Sequence, residues 1–106
     1  MNKLSPDQIH AAKFYFNLFQ NIPEEKWCKG ALVKKPSLEI LIDGECVTEM
    51  RCAMGHLSNL VVPADPLNTI FALTCGTGIV AINDEKNNKS AKQNILGKLK
   101  EIIHAQ

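Results

Sequence analysis

Two six-residue stretches carry most of the side chains that could do chemistry, "WCKGAL" at 27–32 and "CAMGHL" at 52–57. Cys52 and His56 are four apart, and on a helix that spacing projects both from one face, where they could grip a metal ion. With Cys46 six residues earlier and Cys28 approaching from a preceding turn, a three-cysteine, one-histidine set of the kind zinc accepts can be drawn. Two features oppose it. The chain has no C-x-x-C knuckle, and Cys46, Cys52 and Cys75 fall at apolar or near-apolar positions, where a free cysteine acts as a small hydrophobe. A thiol nucleophile would need a base and an oxyanion donor. Cys28 with His56 or His10, oriented by Asp84, could supply part of this, but no local signature surrounds any of the cysteines. The expectation is no metal, no cofactor and no catalytic residue, with His56 exposed or half-buried at a helix end.

Other side chains have a binding reading beside a packing one. Trp27 is the sole tryptophan. It is read as an anchor whose ring is buried and whose indole N–H meets a carbonyl, in preference to an interface hot spot. Asn83 and Asp84 end an apolar segment and suit a turn that bonds its own backbone. The lysines of "EKNNKSAK" at 85–92 precede a helix start and could meet phosphate, yet no aromatic is interleaved for base stacking, so nucleic-acid binding is expected to be weak. Arg51 is the only arginine, which also argues against sequence-specific DNA reading.

The elements that must position these residues follow from local signals. "SPDQ" at 5–8 places Ser5 as an N-cap, Pro6 in the first turn and Gln8 at the capping-box position, predicting a helix over 6–20 with a wide apolar face. Pro23 stops it, leaving "PEEKW" a short helical turn. Residues 30–37 read as a loop, and "LEILI" at 38–42 as a short strand ending at the turn Asp43-Gly44. From Cys46 to Val61 the apolar residues recur at steps of three and four, predicting a helix of four to five turns capped by Asp43. "PADP" at 63–66 then offers Asp65 as the next N-cap, for a helix running to about Cys75 with Gly76 as its C-cap. "GIVAIN" at 78–83 reads as a strand. Ser90 and Gln93 repeat the capping box before a final amphipathic helix. The fold class expected is mainly α, α+β at most, with four helices and at most a two-stranded ribbon.

At 106 residues, 45% hydrophobic and 22% charged, the chain is expected to form one globular domain over 1–106 with a modest core. No run approaches the ~18 apolar residues of a membrane span, and the first ten residues lack a signal-peptide core, so a cytoplasmic protein with reduced thiols is expected. Net charge is +1 but unevenly spread. Acids predominate between Glu39 and Asp65 and lysines between Lys86 and Lys100, giving a dipolar surface if the fold keeps these segments apart.

The order of motifs, "WCKGA" at 27–31, "CAMGHL" at 52–57 and "AIND" at 81–84 before a closing amphipathic helix, resembles a family of small bacterial and phage proteins of unknown function. The matching positions are Trp27, Gly30, Ala31, Cys52, Gly55, Leu57, Asn83 and Asp84. His56 departs from the small residue that family has there. The resemblance implies no activity; it implies that the two hexapeptides are scaffold, with Gly30 and Gly55 allowing close backbone approach and Cys52 packed between helices. The expected function is that of a small non-catalytic intracellular protein, of phage or mobile-element origin, which docks on a protein partner. The alternative is a ligand-binding domain or enzyme with a pocket near Trp27, Cys52, Asn83 and Asp84.

Overall fold

A computed structural model describes residues 3–36, 41–42, 44–47 and 49–106, with the backbone alone at Glu45. Five helices are present among them: α1 (Pro6–Gln20), α2 (Ala53–Asn59), α3 (Asp65–Cys75), α4 (Ile79–Asn83) and α5 (Ala91–His104). Helix predominates among the described residues, so the fold is mainly α. Four two-residue strands form two antiparallel ribbons: β1 (Val33–Lys34) pairs with β4 (Met50–Arg51), and β2 (Leu41–Ile42) with β3 (Glu45–Cys46).

The helices with strong local signals form where those signals stand. Ser5 and Gln8 close a reciprocal capping box on α1, and Ser90 with Gln93 does the same on α5. Helix α3 ends at Gly76 in the left-handed region (φ 72°), where a residue without Cβ is unstrained. Its start lies one residue earlier than expected: Ala64 is the N-cap, and Asp65 is the first helical residue. Helix α1 packs on both α5 and α3, which explains its wide apolar face. Phe19, Leu57, Leu67, Phe71, Ile95 and Leu99 are all fully buried in the one core cluster these helices share.

Several expectations are corrected: the described residues hold five helices where four were expected and two ribbons where at most one was, and Val33–Lys34 of the expected 30–37 loop is strand β1. The long helix from Cys46 to Val61 is instead a pair of strand segments, β3 and β4, followed by the much shorter α2. Arg51 is held between two neighbours, pairing with Val33 on one side and bridging to Trp27 on the other, so its backbone cannot also enter a helix. Helix α2 therefore starts at Ala53, with Cys52 as N-cap; the residue expected to cap it, Asp43, lies outside the described residues, as do residues 38–40 of the expected 38–42 strand. "GIVAIN" is the helix α4, not a strand. Ile79, Ile82 and Asn83 are buried on one helical face, and the amide of Ile79 is met by Asn68 Oδ1 at 2.9 Å. Packing on α5 and α2 thus overrides the strand preference of β-branched residues.

Candidate functional site

The two hexapeptides meet. After the short 3₁₀ turn at Glu24–Lys26, the chain runs alongside β4, and the amide of Cys28 donates to the carbonyl of Arg51 at 3.0 Å. Four residues on, the loop returns, and the carbonyl of Leu32 accepts from the amide of Cys52 at 3.3 Å. That carbonyl rests on Gly55, inside the space a Cβ there would need. Gly30 has a positive φ of 81°, which lets the loop turn back toward α2.

Asn83 and Asp84 hold this pair together from behind. Asn83 is fully buried at the end of α4, and its Oδ1 accepts from the amide of Ala53 at 2.9 Å. Its Nδ2 donates to the Cys28 carbonyl at 3.0 Å and to Asp84 Oδ1 at 2.7 Å. The same Asp84 oxygen accepts from the amide of Gly30 at 3.0 Å. One amide and one carboxylate therefore tie the first hexapeptide to the second. The expected turn role, bonding the local backbone, is replaced by bonds to residues 30 and 55 positions away.

Trp27 is buried, 4% exposed, and its indole N–H donates to the Ile22 carbonyl at 3.2 Å, as an anchor should. Its ring packs on Phe19 (centroids 5.3 Å) and on His56 (4.8 Å). The contact on α2 is therefore His56, whereas Cys52 and Gly55 are reached by the Leu32 backbone. His56 is not at an exposed helix end: it is 6% exposed, with Nε2 at 2.9 Å from the Lys26 carbonyl. Burial, reinforced by the positive charges of Arg51 and Lys26, pushes its pKa down to about 4, so the imidazole is neutral near pH 7.

The cysteines are dispersed. Cys28 and Cys52 are buried beside each other's segments, Cys75 is half-buried, and Cys46 is exposed on β3, contrary to the apolar position expected for it. Burial raises the Cys28 thiol pKa, the neighbouring Cys52 adds to this, and the thiol faces the Ala31 carbonyl. Both effects disfavour the reactive thiolate. Cys52 Sγ instead accepts the amide of Gly55 at the start of α2. Among the described residues, no three His, Cys, Asp or Glu side chains gather closely enough to hold a metal ion.

The motif residues Trp27, Gly30, Ala31, Cys52, Gly55, Asn83 and Asp84 are thus brought to one junction. What fills that junction is protein: every buried side-chain nitrogen and oxygen among the described residues has a partner. Asn94, which the sequence reading passed over, extends the network by donating to the Asn83 carbonyl at 3.4 Å. A polar residue on the buried face of an otherwise apolar helix was the available signal.

On the far side of His56 the surface opens into a cleft of about 460 Å³, whose walls include Ile22, Lys26, Val47, Arg51 and Leu60. Arg51 pairs there with Glu49 at 2.5 Å. Next to it, α2 ends in an unusual conformation. The Val62 amide closes back onto the Leu57 carbonyl at 2.9 Å, which puts Val61 in the left-handed region at φ 56°. Val61 is 88% exposed and Leu60 is 45% exposed. No family model, curated protein or solved structure matches the chain.

Proposed function

We propose that the protein is a small non-catalytic binding protein that docks on a protein partner inside the cell, with the Leu60–Val61 corner as part of its contact surface. The observation that carries this is Val61. A β-branched residue in the left-handed region costs of order 1–3 kcal/mol, the position is one where glycine is ordinarily favoured, and the side chain so held faces water. A strained conformation that presents an apolar side chain to solvent contributes nothing to the core. Contact with another protein would give it a use.

The motif junction supports the same reading. Trp27, Cys52 and Asn83 are each at most 4% exposed, and the polar groups of Asn83 are taken up internally, so these residues serve as scaffold for a surface. The resemblance of the motif order to small bacterial and phage proteins supports an origin in a phage or mobile element. No helix among the described residues is long and apolar enough to cross a membrane.

The test is Val61→Gly, compared with wild type in affinity capture from the host lysate. Relief of the left-handed strain should raise stability by about 1 kcal/mol while partner capture falls. Capture unchanged by the substitution would remove this corner from the contact surface, and a loss of both stability and capture would assign Val61 a packing role.

A further inference from the structure

We propose that the cleft beside His56 is a recognition site for a carboxylate carried on a branched aliphatic body, with Arg51 as the group that binds the acid and Glu49 as an internal stand-in for it. Arg51 is the only arginine in the chain, and its side chain is drawn into the cleft wall, 22% exposed. A guanidinium presents a planar fork of donors matched to carboxylate geometry. In the free protein that fork already holds a carboxylate: Glu49 Oε2 lies 2.5 Å from Nη2. Glu49 is itself half exposed, so it can swing into water when another acid arrives.

The surroundings fit such a ligand. Lys26 provides a second cation on the cleft wall and has no carboxylate partner among the described residues. Ile22, Val47 and Leu60 supply apolar surface within the same walls. A volume of about 460 Å³ lies in the range of small-ligand sites. Once Glu49 leaves, the lining is doubly cationic and partly apolar, which suits an aliphatic acid better than a neutral molecule. The acid could be free or could be a glutamate side chain next to leucine in a peptide; the recognition chemistry is the same. The cleft shares Leu60 with the docking corner, but the cation and its stand-in lie outside that corner, so the acid preference can be tested apart from docking at Val61.

Isovalerate and its neutral isostere isovaleramide are the probes, followed by the chemical shifts of the Arg51 Nε–H and the Trp27 indole N–H, the latter ring lying tilted against the cleft residue His56. Isovalerate should give saturable shifts and isovaleramide none at equal concentration. Glu49→Gln should tighten isovalerate binding up to about five-fold, because an exposed ion pair holds its partner only weakly. Arg51→Gln should abolish the acid-over-amide preference, with circular dichroism confirming the fold, and Glu49→Gln should then have no further effect. Equal response to acid and amide, no change in Glu49→Gln, or a preference surviving in Arg51→Gln would overturn the proposal. Inorganic phosphate binding at Arg51 as tightly as isovalerate would overturn the assignment to carboxylates. If the peptide acetyl-Leu-Glu-Leu-amide binds at least ten-fold tighter than isovalerate, the acid belongs to a polypeptide; if it binds no tighter, the site takes free acids.

Discussion

The carbonyl of Leu32 lies against the α-carbon of Gly55, with no room between them for a methyl group. That carbonyl is also the acceptor for the Cys52 amide, so it cannot move aside without breaking the bond that starts α2. Gly55→Ala should therefore destabilise by about 1–3 kcal/mol through overpacking. Since 1 kcal/mol shifts the melting temperature of a domain this size by roughly 4–8 °C, a thermal melt followed by circular dichroism should show a drop well above error. An unchanged melting temperature would mean that the two hexapeptides are not in backbone contact.

Asn83 uses both ends of its amide, accepting from Ala53 and donating to Cys28. Asn83→Ala would orphan a buried donor and a buried acceptor, at a cost of about 1–3 kcal/mol for each group left without a partner. Asn83→Asp retains the acceptor but sets a carboxylate against the Cys28 carbonyl and Asp84, so it should be at least as damaging near pH 7. Urea denaturation checks both, and Asn83→Asp proving harmless would contradict the hydrogen-bond assignment.

Trp27 closes the junction between α1 and α2 by packing between Phe19 and His56. Trp27→Ala should cost roughly 3–5 kcal/mol, a large part of the stability of a domain of this size. Trp27→Phe should cost less, losing mainly the bond to Ile22 and some area. Native tryptophan emission should be blue-shifted, and emission at the wavelength of free tryptophan would show that the ring is exposed.

His56 makes the fold sensitive to acid. Its pKa is about 4 in the folded protein against 6.5 for a free side chain, so between these values the unfolded chain binds the proton and the folded one does not. Stability should therefore rise with pH through this window and be lost as pH falls from about 6.5 toward 4. The full difference corresponds to roughly 3 kcal/mol, and the ring's position against an open cleft lowers the expected loss to about 2 kcal/mol. Equilibrium unfolding at pH 7 and pH 4.5 measures it, and His56→Gln should flatten this part of the profile. A His56→Gln profile parallel to wild type would place the titrating group elsewhere.

Much of the architecture was legible because its causes are local. Ser5 with Gln8, and Ser90 with Gln93, close capping boxes across three residues, so α1 and α5 can be read with no knowledge of their neighbours. Gly76 likewise announces the end of α3 by needing no Cβ there. Trp27 was legible as an anchor because a large ring with one donor has few other stable placements in a small domain.

What only the tertiary structure decided depends on residues far apart in the chain. The stretch around Cys46 and Met50 carries a helical spacing of apolar residues, but Arg51 is claimed by Trp27 and Val33, and this pairing limits α2 to the residues after Cys52. Ile79 to Asn83 favour a strand by side-chain type, but Asn68 caps them and α5 covers them as a helix. The motif residues could be named from the sequence, but their joint role could not. Asn83 and Asp84 act on Cys28, Gly30 and Ala53 across 30 to 55 residues of chain, and no local pattern encodes a bond of that reach. The left-handed turn at Val61 was hidden for a similar reason: its residue type opposes the conformation, which the closure of Val62 onto Leu57 imposes.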